Sequence, residues 1–207
     1  MAETKQTKGD TAEEASRLAE LMSRWIAPRY LVGPLVLVAA LRGTASLVNA
    51  AGLALLTLAT AVLPLLAFIA LQTRRGAFAD DQVPEQHLRN QVYLVGNACL
   101  LVCLSVLVLL RAPRSLVTLL LAMLASSATA SGLNLRWKVS VHTGAVAGAT
   151  VSLLALCGPA AVPTLVLIPL VGWTRVALRR HTLGQVIAGG LIGSSVTALV
   201  FWLMSPL

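Results

Sequence analysis

Carboxylates stop at Glu85. All eight acidic residues of this 207-residue chain, Glu3, Asp10, Glu13, Glu14, Glu20, Asp80, Asp81 and Glu85, precede position 86, whereas eight of the sixteen Lys and Arg follow it. The formal charge of +8 therefore arises wholly from residues 86–207. Lacking any side-chain carboxylate, that stretch cannot house two-carboxylate glycosidase chemistry or a carboxylate-bridged metal site. Charge of either sign is sparse, at 12% of residues, against roughly 25% in soluble domains, which excludes a water-soluble domain as the class. Aromatics make up only 4%. The late cations sit between apolar runs, not on one amphipathic face with stacking aromatics, so nucleic acid is not an expected partner. Anionic small groups or anionic lipid are. The three cysteines, Cys99, Cys103 and Cys157, fall inside apolar stretches with no second Cys or His at ligand spacing. They read as buried small hydrophobes, and no metal or cofactor is expected.

What is present is apolar length. Hydrophobic residues reach 57% and the mean hydropathy is +0.82. From Tyr30 onward, runs of about 18–22 mostly apolar residues recur, long enough to cross a hydrocarbon core of about 30 Å. They lie near 30–48, 51–72, 91–110, 115–133, 141–157, 160–177 and 184–204. Arg42 and Asn49 interrupt the first, and the fifth and sixth are short. The expected fold is all-α, a polytopic transmembrane helical bundle of six or seven spans. Residues 73–90 form its polar loop. The first 29 residues lack the apolar core and cleavage site of a secretory signal. Within them Thr11 and Glu14 form a helix-start pair, followed by Ala15, Leu18, Leu21, Met22, Trp25 and Ile26 at helical spacing. This predicts an amphipathic helix on the membrane face, ended by Pro28. Two parts result: 1–29, a cytoplasmic N-terminal segment, and 30–207, the transmembrane domain.

Cations bias the orientation. With the N-terminus inside, thirteen of the sixteen Lys and Arg fall on the cytoplasmic side, leaving Arg42, Arg111 and Arg114 outside. Trp25, Trp137 and Trp173 fall at the same expected inner interface, and Trp202 at the other. The cell membrane is the expected location.

Two polar clusters break the apolar second half. One runs from Asn134 to Thr143 and contains Arg136, Lys138, Ser140 and His142; the other runs from Thr174 to Gln185 and contains Arg175, Arg179, Arg180 and His181. Two spans separate them, so they emerge on one membrane face, each leading into a helix start that favours an anion. Arg and Lys grip phosphate oxygens, a neutral imidazole attacks phosphorus, and a second one protonates the leaving oxygen. The pattern points to phosphoryl transfer. A lone Arg or Lys here would be read as snorkelling to headgroups, but two histidines arriving with the cations at membrane depth indicate function. His87, alone in the polar loop, does not.

At these residues the chain resembles the type-2 phosphatidic acid phosphatase superfamily of lipid phosphatases and vanadium haloperoxidases. The family's Ser-Arg-x5-His-x3-Asp signature is matched by Thr174-Arg175, His181 and Gln185, followed by Val186-Ile187-Ala188-Gly189. Its Pro-Ser-Gly-His is matched by Val139-Ser140-Val141-His142. Its Lys-x6-Arg-Pro is absent; Arg136 and Lys138 stand before the second motif, similar to a divergent branch with Trp-Lys-x-Ser-x-His. Gly76, Asp80, Val83 and Pro84 are similar to an early loop of that branch. The resemblance covers roughly residues 74–193. It implies that His181 is the nucleophile, His142 the general acid, and Arg175, Lys138 and Ser140 the phosphate ligands, with Arg136 a further candidate. Gln185 replaces the family's Asp. Positions 181 and 185 share a helix face, so Gln185 is expected to accept an N–H bond from His181 and fix its tautomer. It brings no negative charge to a developing imidazolium, so either Asp80 or Asp81 reaches in from the loop with one or the enzyme is slow. The implied activity is metal-independent hydrolysis of a lipid phosphate or diphosphate on the cytoplasmic face. The alternative is a weak or inactive relative that binds or transports an anionic lipid.

Overall fold

In hydrocarbon a backbone has to satisfy its own N–H and C=O groups, which a helix does locally. In the computed structural model, which describes residues 17–23, 25–79 and 86–205, all regular structure is helical. Asp80 and Asp81 lie outside the described residues, as do Thr11, Glu14, Ala15, Val83 and Pro84. The helices are α1 (Pro28–Leu41), α2 (Leu47–Thr57), α3 (Leu63–Arg74), α4 (Gln86–Leu109), α5 (Arg114–Asn134), α6 (Val141–Cys157), α7 (Leu167–Ala177) and α8 (Leu183–Met204).

Six helical stretches are long and apolar enough to cross a membrane: Arg17–Leu41, Leu47–Arg74, Gln86–Leu109, Arg114–Asn134, Val141–Ala177 and Leu183–Met204. The fifth is a hairpin. At Gly158 the chain takes φ +66°, open to glycine at little cost, and a 3-10 turn over Gly158–Val166 leads back into α7. Thr150 Oγ1 donates to the Thr164 carbonyl at 3.4 Å, two residues that a straight helix would hold about 21 Å apart. Its two arms, α6 and the 158–177 return, correspond to the two short runs in the sequence. The first run differs from expectation: α1 ends at Leu41, and the chain turns through Arg42–Ser46 before Leu47. The preceding helix stops at Trp25, Ala27 is extended ahead of Pro28 as expected, and Pro28 also opens α1, where its missing N–H costs nothing.

α2 and α3 form one rod joined by a wide turn. Pro64 has no N–H for the Thr60 carbonyl, and the Leu63 N–H reaches back five residues to Leu58, giving a π-turn over Leu58–Val62. The Thr57 and Thr60 hydroxyls bond to the Leu53 and Leu56 carbonyls, each at 2.8 Å.

Two patterns position the site. First, α6 and α8 cross at backbone contact. A Cβ on Gly193 would run into the Gly144 carbonyl and one on Gly189 into the Ser140 carbonyl, while one on Gly144 would stand 3.0 Å from the Gly189 oxygen. Small residues four apart on each helix permit this approach. Second, the fully buried apolar side chains Leu107, Leu116, Leu119 and Leu120 pack with Val36 and Cys103 in one half of the bundle. The other half, where α4, α6 and α8 begin and α7 ends, is left to a cavity.

Candidate active site

The Arg-x5-His spacing acquires its meaning at the end of α7. There Arg180 N–H donates to the Arg175 carbonyl at 3.0 Å, Arg179 N–H donates to Val176 at 2.9 Å, and His181 N–H also reaches the Arg175 carbonyl at 3.2 Å. This is a Schellman-type helix end with Arg179 at φ +53°. The turn folds the chain back so that His181 stands beside the helix end that carries Arg175.

Thr182 then caps α8, its hydroxyl accepting from Gln185 N–H, while the Gln185 side chain returns to the Thr182 backbone in a reciprocal capping box. Thr182 N–H donates to Gln185 Oε1 at 3.2 Å, which fixes that atom as the oxygen. The same Oε1 lies 3.1 Å from His181 Nδ1, so Nδ1 carries the proton and donates. Nε2 keeps its lone pair. Gln185 thus meets His181 and caps α8 with the same side-chain oxygen. Burial pulls the His181 pKa down from 6.5 to about 4, with the Arg89, Lys138 and Arg175 charges adding to it against the Gln185 hydrogen bond. At neutral pH the imidazole is uncharged.

His181, His142, Lys138 and Arg175 line one cavity of about 330 Å³, together with Arg29, Arg89, Arg180 and Ser23. Lys138 Nζ donates to the Arg180 carbonyl at 3.4 Å. Arg175, 3% exposed, donates from Nη1 to Ser23 Oγ at 3.0 Å. His142 enters from the first turn of α6. Away from this polar end the lining becomes apolar: Val32, Leu65, Leu66, Ile69, Leu100 and Met123. Residues 17–23 pack against this end of the bundle: Ala19 and Ser23 are buried while Leu18 and Leu21 stand outward.

Compared with models of known protein families, with curated proteins and with solved structures, the chain matches none.

Two residues expected at the phosphate stand elsewhere. Ser140 is fully buried, but as the cap of α6: its Oγ accepts from Thr143 N–H at 3.4 Å and pairs with Thr143 Oγ1 at 2.9 Å. Its N–H donates to the Gln185 carbonyl at 3.2 Å, tying the two helix starts together. It positions His142 and does not line the cavity. Arg136 is exposed in the turn after α5 and does not line it either, because that turn points it away as Trp137 N–H closes onto the Leu133 carbonyl.

Arg89 is the residue the sequence reading missed. The polar loop ends earlier than its composition suggested, α4 starts at Gln86, and Arg89 enters the first turn, 7% exposed. Asn134 locks this helix start to the end of α5, donating to the Gln86 carbonyl at 3.2 Å and to Asn90 Oδ1 at 2.9 Å, while Gln86 Nε2 donates back to the Asn134 carbonyl at 2.7 Å. Spacing was the available signal: Arg89, Val92, Tyr93, Gly96 and Leu100 recur with a helical period and form one stripe along the cavity. Among the described residues no three of His, Cys, Asp or Glu come together as metal ligands.

Proposed function

We propose that this protein is an integral membrane phosphatase that hydrolyses a lipid phosphate or diphosphate through a phosphohistidine. The observation that carries the reading is a single cavity whose one end gathers two histidines with Lys and Arg and whose remainder is apolar. A phosphate would sit at the first and a hydrocarbon tail along the second. The resemblance to type-2 phosphatidic acid phosphatases assigns the same histidines the same roles. The cation bias supports a mouth on the cytoplasmic side of the cell membrane.

In this mechanism Lys138 and Arg175 hold the equatorial oxygens of the phosphoryl group. His181 Nε2 attacks phosphorus, the P–O bond to the lipid breaks, and His142 gives its proton to the leaving oxygen. Water then attacks the phosphohistidine as His142 takes a proton from it. The P–N bond breaks, inorganic phosphate leaves and His181 is restored. Gln185 keeps the Nδ1–H tautomer throughout, so the attacking nitrogen is the one facing the substrate.

The test is phosphate release by detergent-purified protein, in the presence of chelator, from phosphatidic acid and from prenyl phosphates. Turnover that survives both His181→Ala and His142→Ala would sink the assignment. A non-catalytic binder would retain vanadate without releasing phosphate. The His181 pKa adds a constraint on pH. The free-enzyme profile of kcat/KM reports both the essential base and the essential acid, so its acid limb should be centred near pH 4, where His181 takes up a proton, and a separate basic limb should mark loss of the proton that His142 donates. A limb at pH 6.5 would mean that the nucleophile is not buried among cations.

A further inference from the structure

Arg89 Nη1 and Tyr93 Oη are both buried and both lack a hydrogen-bond partner among the described residues. Each side chain is 7% exposed, and each lines the cavity. They stand four residues apart on α4, hence on one face, and α4 brings them from a different wall than Lys138, Arg175, Arg180 and the two histidines. A buried donor without an acceptor is costly, and a charged one more so; native proteins rarely leave such groups without a reason. A guanidinium N–H and a phenol O–H side by side call for an anion. A neutral ester oxygen would satisfy the phenol and leave the guanidinium charge unmatched.

Depth along α4 gives that anion an address. Arg89 lies in the first helical turn, near enough to His181 to depress its pKa. Tyr93 lies one turn further in, and Gly96 and Leu100 continue the stripe into the apolar part. Tyr93 therefore lines the cavity between its polar end and its apolar part.

We propose that Arg89 and Tyr93 form a subsite for the inner phosphate of a lipid diphosphate, making diphosphates the preferred substrates. This rests on the phosphatase reading above. In the reaction, the bond from His181 Nε2 to the outer phosphorus forms as the bond from that phosphorus to the bridging oxygen breaks. His142 protonates the bridging oxygen, and a lipid monophosphate leaves, its charge held by Arg89 and Tyr93. Water then releases the outer phosphate from His181. A monophosphate lipid reaches the same histidines but leaves this pair without its anion.

The experiment compares farnesyl diphosphate with farnesyl monophosphate in turnover, and their non-hydrolysable methylenediphosphonate and phosphonate analogues in binding, for the wild type and Tyr93→Phe. One hydrogen bond to a charged group corresponds to about tenfold in affinity. The wild type should bind the diphosphonate at least about tenfold more tightly than the phosphonate. Tyr93→Phe should lose about five- to tenfold on the diphosphonate, and in kcat/KM on the diphosphate, while changing less than about twofold on the single-phosphate compounds. Because Tyr93 Oη has no hydrogen-bond partner among the described residues, the substitution should not lower thermal stability. Equal affinity for the two analogues, or an equal loss on both, overturns the subsite. A diphosphonate preference that Tyr93→Phe removes, without phosphate release from either substrate, supports the subsite and sinks the phosphatase reading instead.

Discussion

His181→Ala should reduce phosphate release by at least about 10⁴-fold while leaving the fold intact, because it removes the nucleophile itself and not a supporting contact. The fold is expected to persist because the cap of α8 does not need the imidazole. Thr182 N–H still has Gln185 Oε1 as acceptor and Gln185 N–H still has the Thr182 hydroxyl, so the melting temperature should stay within a few degrees. Acid-labile phosphate trapped by rapid quench after mixing with labelled lipid phosphate should appear on the wild type and be absent from the variant. Residual turnover above one-hundredth of wild type would mean that another group attacks phosphorus. Vanadate affinity gives a second reading, since Lys138 and Arg175 remain in place and should still recruit the anion.

Gly193→Val should cost more stability than any other single change proposed for this chain, about 3 kcal/mol or more, at the upper end of overpacking penalties. Its Cβ would meet the Gly144 carbonyl, carbon and Cα atoms. These are backbone on the facing helix, with no side-chain end to swing aside. α6 and α8 would have to part, and with them the helix starts that hold His142 and His181. Thermal denaturation in detergent should show a drop of more than about 5 °C, with activity falling alongside. Gly52→Ala is the control: nothing lies within 4 Å of that position, so the change should be neutral or slightly stabilising through the unfolded chain. If both variants melt like wild type, the helices are not in backbone contact.

Much of this architecture was legible in the sequence because hydrophobic length is a direct physical signal. The run at 141–157 matches α6 at both ends, and the run at 184–204 misses the start of α8 by one residue. The His181–Gln185 pair was legible for a similar reason, a four-residue spacing being a statement about one helix face. Composition misled where it stood in for geometry. The charge of residues 73–90 predicts a loop, whereas Arg89 lies within a helix. Ser140 carries the right atom for a phosphate, but it precedes a helix, where Ser caps, and the cap won. Arg136 differs from Lys138 by two positions and points away because a tight turn lies between them. The contact between α6 and α8 was readable in Gly144-x-x-x-Gly148 and Gly189-x-x-x-Gly193, a small-residue spacing that hydropathy does not register.

The π-turn at Leu58–Val62 has a consequence for how the cavity can vary. One extra residue in a helical turn offsets everything after it by about 100° in phase. Leu65, Leu66 and Ile69, which follow the π-turn, line the apolar wall in the phase this offset sets. The shape of the tail channel is therefore encoded partly in residue count and not only in residue identity. Gain or loss of a single residue near Thr60 would re-aim a whole wall at once, a route to altered tail selectivity that leaves every histidine and every cation of the polar end untouched.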